Sequence, residues 1–199
     1  MRSVLFEDAL QQSGKHEIKH EWLSAHGVEV VRTRFDGAHA VPVSFGDYYR
    51  EGSNIVVDTK RNVAEIAKNI NGRGHDRFKR ECVRAKSCGY KLVILVENND
   101  GITCLRDLLT WRNDHCAACF DYRKDKCNPD DATTKCAKHG TRKPIQGARL
   151  AKAMSTMSLR YGVVFEFCRP HESAKRICEL LGVKYDQDIK GDTNDVSRD

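Results

Sequence analysis

The sequence lacks any long apolar stretch and any sign of a disulfide framework. No run in its 199 residues approaches the ~20 apolar residues of a membrane-spanning helix, so we expect no membrane association. No apolar signal core precedes Glu7 and Asp8, which argues against secretion. The nine cysteines are odd in number and partly clustered with CxxC spacing. This pattern is typical of a reduced, cytoplasmic protein rather than of a disulfide scaffold.

The charge balance is moderately basic. There are 34 Lys and Arg residues against 28 Asp and Glu residues, which gives a net charge of +6. This excess is compatible with a polyanionic partner such as a nucleic acid, although charge alone does not identify one. A chain of 199 residues is long enough to bury a core and is most simply one domain with an insertion.

Strand and helix patterns alternate along the chain. β-branched and apolar runs predict strands at residues 3–6, 28–31, 55–57, 91–97 and 163–167. Helical spacing predicts helices at residues 18–25, 63–70, 77–87, 104–111, 146–161 and 169–181. The alternation predicts an α/β fold with a mixed sheet flanked by helices. We expect a core at 1–112, a Cys-rich insertion at 113–143, the completion of the core at 144–183 and a disordered tail at 184–199.

The segment from residue 45 to residue 71 carries a group of chemically active side chains. Asp47 precedes a polar turn, after which a strand leads into Asp58 and Lys60. Because strand side chains alternate between faces, Asp58 and Lys60 point one way and Thr59 the other. If the two segments pair as a hairpin, two carboxylates and an ammonium converge, as metal-assisted phosphodiester hydrolysis requires. The spacing alone is a weak signal, and on that ground a surface hairpin of solvated charges is the favoured interpretation.

The wider pattern resembles the nuclease domain of the XPF-type structure-specific endonucleases, in the compact form found in bacteria and phages. The resemblance rests on Gly46-Asp47-Tyr48, on Val56-Val57-Asp58-Thr59-Lys60, on the helix that follows and on an apolar strand ending at Glu97. The family has Glu-Arg-Lys where this sequence has Asp58-Thr59-Lys60. The last acidic residue of the family motif falls on Ala64, with Glu65 one position later. The resemblance covers about the first 110 residues by motif, and the tandem helix-hairpin-helix segment of many members is absent.

The resemblance implies a restriction-endonuclease-like fold and a Mg²⁺- or Mn²⁺-dependent DNA endonuclease. Asp47 and Asp58 would hold the metal, and Lys60 would position or activate the attacking water. Asp8 is the best match to the acidic residue that ends the first strand in the family, either as a third metal ligand or as a surface charge. The products would carry 5′-phosphate and 3′-hydroxyl ends. A homodimer is expected because the family pairs its nuclease domains. Repair, recombination or phage DNA processing is the expected setting, in the cytoplasm of a bacterium or of a phage-infected host.

A basic helix follows the hairpin. Its cations are candidates for contacts to the DNA backbone, which would be independent of sequence and sensitive to salt: Arg77, Lys79, Arg80 and Arg84. An ordinary solvated helix face is the alternative interpretation. Glu97 ends the clearest buried strand, either as a further acid of the active centre or as a strand-end residue.

The insertion contains five candidate zinc ligands in a polar segment with almost no apolar residues. They are Cys116, Cys119, Cys127, Cys136 and His139. A structural zinc knuckle accounts for this density, because metal binding can order a loop that has no core of its own. Either the four cysteines bind the metal, or His139 replaces one of them, most plausibly Cys127. Unliganded thiols are the alternative. We assign the remaining cysteines to core packing: Cys82, Cys88, Cys104, Cys168 and Cys178.

Two non-enzymatic hypotheses are retained beside the nuclease. The first is a zinc-stabilised DNA-binding module whose nuclease-like core does not cut. The second is an inactive partner subunit of a nuclease. The substitution of Asp58 for the Glu of the family, together with the displaced last acid, keeps both hypotheses open.

Overall fold

A computed structural model describes residues 4–10, 17–37, 41–72, 74–124, 126–131, 135–136 and 143–186. The strands are β1 (Val4–Asp8), β2 (Glu29–Thr33), β3 (Tyr48–Arg50), β4 (Ile55–Lys60), β5 (Lys91–Glu97) and β6 (Val164–Cys168). The helices are α1 (Glu17–Ala25), α2 (Val63–Asn71), α3 (His75–Ser87), α4 (Asp114–Ala117), α5 (Phe120–Arg123), α6 (Gly147–Tyr161) and α7 (Ser173–Leu181). Two 3-10 turns lie at Asp107–Thr110 and Pro170–Glu172.

The described strands form one six-stranded mixed sheet in the order β2-β1-β3-β4-β5-β6. β3 is antiparallel to both of its neighbours, whereas the other adjacent pairs are parallel. The amino end of β3 therefore lies beside the carboxyl ends of β1 and β4. A residue just before β3 therefore lies beside the last residues of β1 and β4.

Helices cover both faces of the sheet. We call the face that packs against α2, α3 and α6 the front face, and the face that packs against α1 and α7 the back face. Side chains alternate between the two faces, so Val56 and Ile94 pack at the front while Val57 and Leu95 pack at the back. β5 is buried on both faces, as its continuous apolar run predicts. The predicted α/β fold with a mixed sheet flanked by helices is confirmed.

The elements around residues 104–111 and 169–181 differ from the prediction. Only a 3-10 turn forms in the first segment, where the Asp107 carboxylate accepts hydrogen bonds from Thr103 and Cys104 and holds the chain in a tight local turn. In the second segment a 3-10 turn beginning at Pro170 precedes α7, which starts at Ser173. Proline lacks a backbone N–H and is tolerated at such a helix start.

The prediction that all five other cysteines serve core packing is wrong for two of them. Cys88 and Cys104 are exposed, because Cys88 follows the last residue of α3 and Cys104 lies in the loop before the 3-10 turn. Cys82 and Cys178 are buried on the inward sides of α3 and α7, as predicted. Cys168 is partly buried at the end of β6.

The described helices include none that is both long and apolar enough to cross a bilayer. In the segment assigned to the tail, Tyr185 packs edge-on against Trp22, with ring centroids 5.2 Å apart. The rest of that tail, from residue 187 onward, lies outside the described residues, as does the candidate ligand His139.

Candidate active site

A tight turn before β3 sets the position of Asp47. Gly46 has a left-handed backbone with φ of +76°, and a Cβ atom there would lie 2.4 Å from Val56 Cγ1. Only glycine therefore fits this turn against β4. The Asp47 N–H donates to the Val57 carbonyl at 2.8 Å, and the Asp47 carbonyl accepts from the Asp8 N–H at 2.9 Å. These two bonds hold Asp47 between the carboxyl ends of β4 and β1.

The side chains of Asp47, Asp58 and Lys60 converge on the front face, as the alternation of β4 predicts. Asp47 is 6% exposed and Asp58 is 4% exposed. Lys60 Nζ donates to Asp58 Oδ1 at 2.6 Å and also lies 2.6 Å from Asp58 Oδ2. Asp58 Oδ2 is buried and accepts no hydrogen bond of suitable angle. The predicted convergence of two carboxylates and an ammonium is present.

Thr59 holds the Asp47 carboxylate in place. Its backbone N–H donates to Asp47 Oδ2 at 2.7 Å, and its hydroxyl donates to the same oxygen at 2.6 Å. Two donors on one oxygen fix the orientation of the carboxylate and offset part of its negative charge. Thr59 stands where the resembled family has arginine, so in this chain a neutral hydroxyl supports the site.

The electrostatics of this group are dominated by burial and by an excess of negative charge. Burial, followed by repulsion from Asp58, raises the pKa of Asp47 to about 8. Burial opposes the charged form of Lys60, but attraction by Asp58 and Asp47 outweighs it and raises the pKa of Lys60 above its ordinary value. The Lys60 ammonium is therefore attracted by both buried carboxyl groups.

Glu81 is a third acid at this site that sequence reasoning missed. It projects from α3, and its Oε1 accepts a hydrogen bond from the Gly46 N–H at 3.2 Å. Burial, followed by repulsion from Asp58, raises the pKa of Glu81, and Lys60 acts in the opposite direction. A signal was available in the sequence, because Glu81 is an acidic residue in a strongly basic helix and lies three positions after the buried Phe78.

Asp8 and Glu65 are occupied by local structure. Asp8 Oδ1 accepts hydrogen bonds from the N–H groups of Phe35 and Leu10 at 3.2 and 3.3 Å. A role for Asp8 as a metal ligand stays a prediction. Glu65 Oε2 accepts from the Arg61 N–H at 3.0 Å, while the Asn62 side chain caps the Glu65 N–H at 2.8 Å. Glu65 thus stabilises the start of α2.

Glu97 belongs to a separate polar cluster on the back face. Glu97 Oε1 lies 2.6 Å from Lys19 Nζ and accepts a hydrogen bond from the Ser173 hydroxyl at 2.8 Å. Glu7 is fully buried nearby, and its Oε2 lies 2.6 Å from His20 Nε2 and 3.8 Å from Arg32 Nε. We refer to these residues as the back-face cluster. Glu97 thus faces away from Asp58.

α3 presents its cations on its outer side. The side chains predicted to contact DNA are all exposed: Arg77, Lys79, Arg80 and Arg84. Arg84 also donates to the Ser44 carbonyl at 3.2 Å, which ties the helix to the loop before Gly46. The same helix therefore carries Glu81 toward the carboxylates and a row of cations toward solvent.

The thiols of the insertion lie near one another. Cys116 is buried, and Cys119, Cys127 and Cys136 each interact electrostatically with its thiol. Within the described ranges, however, no three His, Cys, Asp or Glu side chains are already arranged to hold a metal ion. This holds for the carboxylate site and for the thiols alike.

Comparison with solved structures identifies the fold. XPF from Aeropyrum pernix matches with a TM-score of 0.50 and 17% sequence identity, over 89% of this chain and 63% of that chain. XPF from Aeropyrum pernix in complex with DNA matches with a TM-score of 0.52 and 17% identity, over 91% of this chain and 64% of that one. No family model matches the sequence, and a search of the curated proteins found no match.

The structural likeness confirms at the level of the fold the resemblance predicted from the motifs. The present chain spans less than two thirds of the length of either XPF structure. It therefore has the α/β fold of the XPF structures.

Proposed function

We propose that this protein is a metal-dependent DNA endonuclease that hydrolyses phosphodiester bonds. The observation that carries the proposal is the buried group of Asp47, Asp58 and Lys60 near the carboxyl end of β4. Glu81 lies beside this group, and α3, which carries Glu81, presents its cations to solvent. The proposal is further supported by the fold shared with XPF, one of whose structures contains DNA.

The carboxylate group fits a hard divalent cation. Asp47 and Asp58 offer oxygen donors, which Mg²⁺ and Mn²⁺ prefer. Asp58 Oδ2 is buried and accepts no hydrogen bond of suitable angle, although it lies 2.6 Å from Lys60 Nζ. We propose Asp47 and Asp58 as metal ligands, with Asp8 as a further candidate. When bound, such a metal polarises the phosphate and lowers the pKa of its water.

The remaining groups act by position and charge. The Lys60 ammonium donates hydrogen bonds, so it can orient the attacking water and offset the charge that develops on the phosphate. The Thr59 amide and hydroxyl keep Asp47 from rotating away. The Glu81 carboxylate accepts a hydrogen bond from the Gly46 N–H and so stabilises the turn that positions Asp47. Cleavage would leave 5′-phosphate and 3′-hydroxyl ends.

The exposed cations of α3 are proposed to bind the DNA backbone. Arg77→Ala combined with Arg80→Ala should weaken duplex binding and lower the salt dependence of log K by about 0.9 for each phosphate that the protein no longer neutralises. Lys175→Ala, on the opposite side of the sheet in α7, is the matched control and should change neither quantity. Fluorescence anisotropy at several salt concentrations measures both. An unchanged salt slope in the double variant would contradict this assignment.

Cleavage of labelled flap, fork and plain duplex DNA with Mg²⁺ or Mn²⁺ tests the enzyme. Asp58→Asn and Lys60→Ala should each lose metal-dependent cutting, whereas Asp100→Asn, at an exposed turn, should retain it. A preference for flaps or forks would define a structure-specific enzyme. Cutting that persists in Asp58→Asn would sink the proposed metal site.

A non-cutting DNA-binding module is the second candidate. It is favoured by Asp58, which stands where the resembled family has Glu, and by Glu65, which caps the start of α2. Salt-sensitive DNA binding without cutting, even with Mn²⁺, would establish it. A homodimer is a further proposal for either candidate, and a monomeric mass in light scattering would contradict it.

A further inference from the structure

The described residues of the segment 113–143 contribute almost no apolar side chain to the core. Its two helices, α4 and α5, are only four residues long, and α5 contains no buried residue. The buried residue of α4 is Cys116. A polar segment of this kind needs another source of stabilisation, because conformational entropy opposes its ordering.

We propose that Cys116, Cys119, Cys127 and Cys136 bind one structural Zn²⁺, independently of any nuclease activity. All four are free of disulfide bonds, and the thiols of the last three each interact electrostatically with that of Cys116. The Cys119 N–H donates to the Cys116 carbonyl at 2.9 Å, which closes the CxxC turn. Four thiolates in tetrahedral array are a donor set that selects zinc.

The fold supplies an outer partner for the buried ligand. Gln146 is fully buried at the start of α6, and its Nε2 donates to Cys116 Sγ at 3.2 Å. Its Oε1 accepts from the Asn113 N–H at 3.1 Å, so the amide is held in orientation. Hydrogen bonds from such groups orient metal ligands and offset the charge on a thiolate. Cys116 is therefore held against the core by a group that suits a metal-bound sulfur.

Two contacts join the middle of the segment to its two ends. Lys143 is buried, and its Nζ donates to the Asn128 carbonyl at 2.7 Å. Arg112 Nη1 lies 3.1 Å from Asp130 Oδ2. Since no three described donors are yet arranged to hold a metal, zinc would close the cluster between these anchors. Its binding free energy would order the segment.

Metal content and Co²⁺ spectroscopy of the full-length, untagged protein test the inference. We expect one zinc per chain, and in the Co²⁺-substituted protein the charge-transfer and ligand-field bands of tetrahedral thiolate coordination. Cys116→Ser and Cys136→Ser should each remove these bands. Cys88→Ser and Cys104→Ser, which alter exposed cysteines outside the cluster, should preserve them. Gln146→Met should weaken zinc binding by about 10- to 100-fold.

Each contrary outcome is distinct. Folded protein that contains neither zinc nor iron and gives no Co²⁺ bands would overturn the site, and stoichiometric iron would replace zinc with an iron–sulfur centre. Bands that change in His139→Gln and persist in Cys127→Ser would overturn the four-cysteine set in favour of the alternative with His139. If Cys116→Ser does not fold, Cys136→Ser and the metal content of the wild-type protein still show whether the site binds zinc. None of these readouts depends on DNA cleavage.

Discussion

The two faces of the sheet each carry a buried polar cluster, and they differ in how the charges are matched. On the back face, Glu97 pairs with Lys19 and Ser173. On the front face, Asp47 and Asp58 both interact with the Lys60 ammonium. Burial is similar in both, so burial alone does not distinguish a structural cluster from a functional one. The front group brings two buried carboxyl groups together, and these are the oxygen donors that a divalent cation prefers.

The largest expected effect is on the back face. Lys19→Met should lower the free energy of unfolding by about 3–5 kcal/mol, because it leaves the buried Glu97 carboxylate without its cation. Urea unfolding followed by circular dichroism measures the change, and Mg²⁺ should not reverse it. The double variant Lys19→Met/Glu97→Gln is the control and should recover most of the loss. A Lys19→Met protein as stable as wild type would show that this pair is not structural.

Removal of the front-face lysine should act mainly on cleavage. Lys60→Met should lower the cleavage rate by about 100- to 1000-fold, the effect of losing a donor that stabilises a developing charge. In Mg²⁺ its loss of stability should be smaller than that of Lys19→Met, because the proposed divalent cation can compensate the charge of Asp58. Mg²⁺ should restore stability to Lys60→Met but not to Lys19→Met. Equal rescue of both variants would remove the proposed difference between the clusters.

Glu81→Gln tests the acid supplied by α3. We expect the affinity for Mg²⁺ to fall by about 10- to 100-fold. This range is typical for a residue that positions the metal ligands without binding the metal itself. The fold should persist, since the amide oxygen of glutamine can still accept the Gly46 N–H. Isothermal titration with Mg²⁺ or Mn²⁺ measures the affinity. The exposed variant Asp76→Asn, in the first turn of α3, is the control and should bind metal normally.

The pH dependence of stability gives a further test of the front face. The pKa of Asp47 is about 8 in the folded chain against an ordinary value of 3.8, so folding favours its protonated form. Its contribution to stability is complete below about pH 4 and is lost as the pH rises through 8. Without metal, Asp47→Asn should therefore exceed wild type in stability at pH 8 and differ little from it at pH 4. Thermal unfolding across this range checks it, and a constant difference would contradict the assigned cause.

The smallest effect is expected at the rim of the back-face cluster. His20→Gln should lower the free energy of unfolding by less than about 1 kcal/mol, because the ring is partly exposed and glutamine can still donate to Glu7. Chemical denaturation measures it. A loss as large as that of Lys19→Met would mean that the Glu7 pair, rather than the Glu97 pair, dominates this face.

Sequence reasoning identified the residues of the site that are close in the chain. Asp47, Asp58 and Lys60 follow from a strand period of two and a short hairpin, both of which are local rules. Glu81 was missed because its spacing from Phe78 shows only that it lies near the inward side of α3, whereas its contact with the site depends on how α3 packs against the sheet. The role of Glu65 was readable, since Asn62 three positions earlier forms a standard capping pair with it.

The fold was predictable where the hydrophobic pattern was strong. The β5 run and the period of α6 gave the correct elements, because burial on two faces or on one helix stripe leaves a clear pattern. The segment around Asp107 was misassigned because one carboxylate captured three donors and tightened the turn, an effect of side-chain chemistry. Cys88 and Cys104 were misassigned because cysteine burial depends on position in the element.

The two clusters also differ in how far apart in the sequence their contacting residues lie. The front group lies between Gly46 and Glu81, so only short loops join its members, and the entropy of loop closure rises with loop length. The back-face pair joins Lys19 to Glu97 and Ser173, and so needs nearly the whole chain. During synthesis the carboxylates can therefore assemble well before the opposite face is locked. The front group would then form before the back-face pair closes.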